Sequence, residues 1–342
     1  MAEVTPTSSR KSNHIQINLR ENVASGLTTG LEHYRFVHRA LPEINLDDID
    51  LSLTIFGKRL NAPVLISSMT GGTPEATSIN LALAAAAQET HLAMGVGSQR
   101  AALEDPELIS TFQVRRNAPD ILLFANLGAI QLNYGYGLEE CQRAIDMIEA
   151  DALILHFNPL QEAVQKDGNT QFGGLINKVE AVCKALPVPV IAKEVGWGFS
   201  KLDIRLLTQA GIAAIDVAGA GGTSWSQVEM YRADTESQRK LAGAFADWGI
   251  PTTEAILNVR ETSPNLTIFA SGGLRSGVDI AKCLALGASL GGMAGPFLKV
   301  AVESHGAILE VIYEIIREIQ ICLFATGSKN IDQLRQNKIV KL

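Results

Sequence analysis

One unit recurs along the chain and limits the folds open to it. A short run rich in Val, Ile, Leu and Ala ends in Gly, Ser or Asn, and a helix-like stretch follows. Eight such runs cover residues 62–69, 93–98, 121–128, 152–158, 188–195, 213–221, 267–273 and 289–295. They are apolar without polar alternation, the mark of strands buried on both faces and therefore parallel. Residues 78–90, 138–150 and 201–210 have the pattern of crossover helices. Eight β units with intervening helices in 342 residues predict an α/β fold, a TIM (β/α)8 barrel. A doubly wound open sheet is the alternative, because periodicity does not distinguish a closed sheet from an open one.

The spacing breaks twice. Residues 1–61 precede the first strand, and residues 222–266 separate strands six and seven. Additions to a barrel usually sit near its active face. The expected organisation is an arm and extension over 1–61 that contributes to the substrate site, and a single barrel domain over 62–342. The insertion carries Trp225, Tyr231 and Trp248, which could cover a ligand.

Composition narrows the class. The chain is 46% hydrophobic and 19% charged, enough for a large core. Its net charge of −7 makes general binding to nucleic acid or an anionic membrane a poor fit. The first 25 residues lack an apolar core like that of a secretory signal. The apolar stretch 306–324 is interrupted by Glu310, Glu314, Arg317 and Glu318, and reads as an amphipathic helix rather than a membrane span. Cys141, Cys183, Cys283 and Cys322 form no C-x-x-C pair. They read as reduced thiols of a cytoplasmic protein.

Barrel chemistry lies at the C-terminal strand ends. The ends of strands seven (Ser271-Gly272-Gly273-Leu274-Arg275) and eight (Met293-Ala294-Gly295) are Gly-rich turns before helices. Their backbone N–H groups suit a phosphate, and Arg275 could add a charged contact. Lys193 closes an apolar strand, where it reads as a fixed charge in the site. Ser68, Ser98, Asn126 and Thr223 offer neutral hydrogen bonds around the mouth. Strand four is densest, with His156, Asn158, Gln161 and Glu162 within seven residues. A single carboxylate there suits Mg²⁺, which takes water and substrate phosphate oxygens as its other ligands. Arg10, Lys11 and His14 on the arm, with Arg100, would supply local positive charge.

Assembled in order, these segments resemble the type 2 isopentenyl diphosphate isomerases, FMN-dependent TIM-barrel enzymes of isoprenoid biosynthesis. The motifs are Arg10-Lys11-x-x-His14, Met69-Thr70-Gly71-Gly72, Gly97-Ser98-Gln99-Arg100, His156-x-Asn158-Pro159-Leu160-Gln161-Glu162, Lys193-Glu194-Val195-Gly196, Gly222-Thr223-Ser224-Trp225 and Ser271-Gly272-Gly273-x-Arg275. The resemblance implies that FMN is held by Ser68, Met69, Thr70, Gly71, Ser98, Asn126, Lys193 and Thr223. The FMN phosphate would sit on Gly273, Leu274, Arg275, Ala294 and Gly295. Isopentenyl or dimethylallyl diphosphate would meet Arg10, Lys11, His14, Ser98, Gln99, Arg100, His156, Asn158 and Gln161. Glu162 would hold Mg²⁺, and Gln161 and His156 are the catalytic candidates. The resemblance further implies a 1,3-allylic proton shift that needs reduced flavin, NADPH as the usual reductant, and a tetramer or octamer.

Rival flavin barrels fit less well. A hydroxyacid oxidase needs a His base near strands six and seven, and 219–225 contains none. An inosinate-type dehydrogenase needs a Cys after strand six, and none lies between Cys183 and Cys283. A flavin carrier without turnover would not need Glu162 or the Arg10-Lys11 pair.

Overall fold

The computed structural model describes residues 6–336 and 338–342. Among them, eight parallel strands close into a barrel. They are β1 (Val64–Ile66), β2 (Ala93–Gly95), β3 (Leu123–Gly128), β4 (Ala152–Phe157), β5 (Val190–Glu194), β6 (Ala214–Asp216), β7 (Thr267–Ala270) and β8 (Leu290–Met293). Closure comes from β8 beside β1, with Gly291, Gly292 and Met293 opposite Val64, Leu65 and Ile66. Each apolar run of the sequence contains one of these strands. The strands are shorter than the runs, and past the end of every strand but β3 the residues that leave the ladder line the mouth. The sixth run shows this most: β6 ends at Asp216, and Ala218 turns the chain with a φ of +35°.

Side chains alternate along each strand, and the barrel interior is built in layers. One layer holds Leu65, Ala93, Phe124, Ile154, Ile191, Ala214, Phe269 and Leu290, all buried. The residues two positions on, one layer nearer the mouth, are Ser67, Gly95, Asn126, His156, Lys193, Asp216, Ser271 and Gly292. An apolar plug thus carries a polar floor. The glycines leave room in that floor: a Cβ on Gly95 would lie 2.4 Å from Ser68 Oγ, and one on Gly292 2.5 Å from Ser67 Oγ.

The N-terminal extension serves both ends of the barrel. Helix α1 (Pro6–Arg20) lies at the mouth, while a hairpin of Leu53–Ile55 and Lys58–Leu60 closes the opposite end. There Ile55, Leu60 and Phe56 pack on the apolar layer, with Phe56 edge-on to Phe269 at 6.3 Å. A further strand, Tyr34–Phe36, pairs antiparallel with Ile339–Lys341 and ties the extension to the C-terminal segment.

The helices needed below are α2 (Pro74–Thr90), α3 (Leu138–Ile148), α4 (Pro159–Val164), α5 (Lys201–Gln209), α6 (Trp225–Arg232), α7 (Gly277–Ala285), α8 (Gly295–Ala301) and α9 (His305–Thr326). Helices α2, α3, α5 and α9 match the helical stretches read from sequence, with ends set by local chemistry. Helix α9 begins at Ser304, whose hydroxyl accepts from Ala307 N, and stops at Gly327 in the left-handed region. Its Ile308, Ile312, Ile315 and Ile319 are buried against the barrel. Among the described residues, no helix is long and apolar enough to cross a membrane.

Candidate active site

The barrel mouth opens into one cavity of about 830 Å³. Nearly every site residue expected from sequence lines it: Lys11, His14, Ser68, Met69, Thr70, Gly71, Ser98, Arg100, Asn126, His156, Asn158, Gln161, Glu162, Lys193, Thr223, Gly273, Leu274, Arg275, Ala294 and Gly295. The side chain of Arg10 lies outside the described residues. Gln99 is a correction. It is fully buried behind the cavity, where Nε2 donates to Ala144 O (2.8 Å) and Oε1 accepts from Asn126 N (2.9 Å). It braces the β3 strand end and does not face a substrate.

One side of the cavity is made largely of backbone. Gly272 and Gly273 have φ of +101° and +78°. A Cβ on Gly272 would sit 2.1 Å from Gly219 O, and one on Gly273 2.4 Å from Gly221 C and O. The turn after β7 therefore presses on the turn after β6 at a distance only glycine allows. The expected phosphate cradle needs one amendment. The start of α7 is already satisfied: Ser276 accepts from Asp279 N, Asp279 accepts from Arg275 N (2.9 Å), and Glu318 accepts from Gly277 N. This leaves the turn at 272–274, with Ala294 and Gly295 at the start of α8, rather than the α7 terminus, as backbone that could meet a phosphate. In the floor, the buried hydroxyls of Ser67 and Ser68 have no partner. A planar polar heterocycle would satisfy such groups. Glycine backbone, orphaned hydroxyls and a lysine together fit FMN.

The other side is assembled from distant segments. Lys11 of α1 donates to Ser98 O (2.7 Å) and stands over the Phe112 ring at 5.0 Å. His14 meets Glu229 Oε1 at 3.2 Å and packs edge-on against Trp225 at 5.0 Å. Glu229 also accepts from Gln161 Nε2 (3.3 Å) and pairs with Arg232. Glu229 is almost fully buried. Burial alone would raise its pKa, but His14, Arg232 and Gln161 hold the carboxyl below its ordinary value. Sequence reasoning missed Glu229 because it lies on α6, inside the insertion, away from any strand end. Of the aromatic residues in the insertion, Trp225 lines the cavity, whereas Trp248 is exposed.

Strand β4 and helix α4 join the two sides. His156 Nδ1 lies 2.8 Å from Asn126 Oδ1, while Asn126 Nδ2 donates to Val96 O (3.2 Å). That amide orientation makes Nδ1 the donor and leaves Nε2 as a lone pair. Burial, with Lys193 and Lys11 nearby, pulls the His156 pKa down to about 3, so the imidazole is neutral. Asn158 Nδ2 donates to Gln161 Oε1 (3.1 Å) and Glu162 Oε1 (3.0 Å), and its own buried Oδ1 has no partner. Glu162 is buried. Its Oε2 accepts from Gln165 Nε2 (2.7 Å) and Asn169 N (2.6 Å). No cluster of three metal-ligating side chains occurs among the described residues. Oε1 of Glu162 has one donor and a lone pair to spare, and Asn158 Oδ1 has no donor. This donor set suits an oxygen-preferring ion that draws other ligands from substrate and water.

Comparisons with known proteins agree with this geometry. The FMN-dependent dehydrogenase family profile matches residues 14–111 and 149–341. The isopentenyl-diphosphate delta-isomerase of Nostoc sp. is 58% identical over 332 residues, which is 97% of this chain and 95% of that one. The enzyme of the same name from Synechocystis sp. is 55% identical over 96% of this chain and 95% of its own. The chain belongs to the isopentenyl-diphosphate delta-isomerases. As a member of that family with an FMN-dependent dehydrogenase profile, it is an FMN flavoprotein and an isomerase on a TIM barrel. A mandelate oxidase structure superposes with a TM-score of 0.68 at 18% identity, covering 98% of this chain and 99% of that one. An (S)-mandelate dehydrogenase superposes at 0.69 with 16% identity, covering 98% and 96%. At such identities the likeness concerns the barrel fold alone.

Proposed function

We propose that this isomerase interconverts isopentenyl and dimethylallyl diphosphate by a 1,3-allylic proton shift with reduced FMN and Mg²⁺, and that NADPH supplies the electrons. The observation that carries the reading is the shared cavity. A glycine-lined cradle and polar floor fit FMN on one side, and Lys11, Arg100 and Glu162 face them from the other. Reduced FMN, when bound, supplies an electron-rich face able to stabilise a carbocation and a ring nitrogen able to exchange a proton.

The remaining work falls to side chains. Lys11 and Arg100 would bind the diphosphate, with Arg10 beside them on the arm. Arg100 now bonds Glu104 Oε1 at 2.7 Å and would exchange that partner for phosphate oxygens. Glu162 would hold Mg²⁺ against the diphosphate. The diphosphate's charge would favour a proton on His156 Nε2, turning an acceptor into a second donor to the anion. Gln161 is pinned at both ends of its amide by Asn158 and Glu229. It would orient the alkene and leave proton exchange to the flavin ring nitrogen, since a neutral amide is too weak an acid or base for that task. Trp225 and helix α1, whose Ile15 is buried, would keep water from a tertiary cation. A cytoplasmic tetramer or octamer accords with the same reading.

The test is anaerobic incubation with isopentenyl diphosphate, Mg²⁺ and FMN, with product analysis. Dithionite or NADPH should start dimethylallyl diphosphate formation, and oxidised holoenzyme in air should be inactive. Full turnover with oxidised flavin would remove the reading.

A further inference from the structure

Asp216 lies in the inward polar layer beneath the cavity, and the proposed reaction gives it no task. It ends β6 beside Lys193 of β5, in register across the ladder. Both side chains belong to the inward polar layer. Asp216 is 1% exposed. Its Oδ1 accepts from Ser271 Oγ of β7 (2.6 Å) and, at 3.4 Å, from Ala218 N. Its Oδ2 is buried with no hydrogen-bond partner. The nearest positive charge is Lys193 Nζ, 3.8 Å from Oδ2, and that ammonium donates to Glu194 O (2.7 Å). A buried carboxylate oxygen without a donor is costly unless a charge offsets it.

The other titratable groups around this pair are His156, opposite Lys193 on β4, and Glu194, the next residue on β5. His156 is neutral, as shown above. The Glu194 carboxyl is spent on its own turn, where Oε2 accepts from Val195 N (2.7 Å), Gly196 N (2.8 Å) and Trp197 N (2.5 Å). Neither approaches Asp216 Oδ2 as a donor.

We propose that Asp216 is a positioning residue for the flavin: held by Ser271, its carboxylate is the counter-charge of Lys193 and offsets the field that this lysine places on the ring. The proposal rests on FMN lying with its ring beside Lys193. Burial raises the Asp216 pKa, and Lys193 is the charge that opposes the rise. Without Lys193 the carboxyl would lean further toward its neutral form. Asp216 acts on the flavin only as one half of the pair.

That dependence gives a double-mutant cycle. Holoenzyme with FMN is prepared as wild type, Asp216→Asn, Lys193→Met and the double variant, and the two-electron flavin potential is measured anaerobically. Asp216→Asn should raise the potential, because a positive charge near a reduced anionic ring is no longer offset. A change of about tenfold in the ratio of reduced to oxidised FMN affinity is expected for a unit charge at this range, or about 30 mV. In the Lys193→Met background the same substitution should shift the potential clearly less, since loss of the lysine favours the neutral acid, which differs little from an Asn. Ser271→Ala should shift the potential in the same direction by less, through loss of a bond that favours the charged carboxyl, and it serves if Asp216→Asn does not fold. Equal shifts in both backgrounds, or none in either, would overturn the proposal. Flavin bound normally but with Lys193→Met leaving the potential unchanged would also overturn it, while leaving the FMN reading intact. Failure of the wild-type protein to bind FMN would defeat both.

Discussion

The two sides of the cavity are built by different means. The side proposed for the flavin comes from barrel strand ends and the turns after them, and its shape is set by backbone in contact with backbone. The side proposed for the substrate is drawn together from α1, β4 with α4, and α6, segments more than 200 residues apart between His14 and Glu229. Its shape depends on side-chain contacts: Lys11 on Ser98, His14 and Gln161 on Glu229, Asn158 on Glu162. A backbone cradle cannot open without disturbing the barrel, whereas side-chain latches can exchange partners one at a time. A cofactor that stays and a substrate that must enter and leave call for that division.

The division can be broken most severely at Gly273. An alanine there would hold a left-handed φ and place its Cβ 2.4 Å from the Gly221 backbone. Strain and clash of about 3 kcal/mol are expected, on the order of 100-fold in FMN affinity. Fluorescence titration of the apoprotein with FMN reads this directly. Affinity within twofold of wild type would show that the two turns are not a fixed cradle.

A smaller effect, confined to the other side, is expected of Glu229→Gln. The amide cannot accept from His14, Gln161 and Arg232 together, so Gln161 loses its anchor and α1 its latch. The loss should be about 2 kcal/mol, the worth of a hydrogen bond to a charged group. It should appear as a raised KM and lowered kcat with FMN affinity unchanged. If FMN affinity falls instead, the two sides are not separable at α6.

The smallest effect is a slope in stability with pH. Burial pushes Glu194 up to about 7 from 4.5, against the pull of its three backbone donors and Lys193. The native state then holds an extra proton between about 4.5 and 7, and stability falls as pH rises through that window. His156 works in the opposite sense. The unfolded imidazole is protonated below 6.5 and the folded one is not until about 3, so stability is lost as pH falls through that range. From about 4.5 to 6.5 the two nearly cancel. Glu194→Gln keeps an acceptor for the three N–H groups and removes one slope. Its stability should rise with pH by up to about 1.4 kcal/mol per unit in that window, measured by urea unfolding. A variant curve parallel to wild type would show that the buried pair does not titrate as described.

The same division explains what could be read from the sequence. The side proposed for the flavin was legible because it follows from strand ends: apolar runs locate the barrel, and the glycines after runs seven and eight line its mouth. Asp216 escaped because the sixth run continues as apolar loop to Gly221, so the strand end was sought five residues too late. Counting inward positions by twos from Ala214 would have found it. On the side proposed for the substrate, His156 and Glu162 stood out in the crowded end of strand four, and Lys11 as half of a basic pair on the arm, and all three line the cavity. Glu229 was not legible, since one glutamate in an insertion helix looks like any solvated face until His14 and Gln161 are brought to it by the fold. Gln99 erred in the other direction. Adjacent to Ser98 and Arg100, it shares their motif, but its side chain points behind the strand ends.

The separation of the two sides is tested most directly by removing residues 1–20, which deletes α1 and with it Lys11 and His14. FMN affinity and KM for isopentenyl diphosphate would be measured on the same preparation. The barrel, its glycine cradle and its polar floor all lie after residue 61, so FMN affinity should stay within a few-fold of the full chain, while KM rises at least about tenfold for the loss of a charged contact. An unchanged KM, or FMN lost together with substrate, would contradict the account.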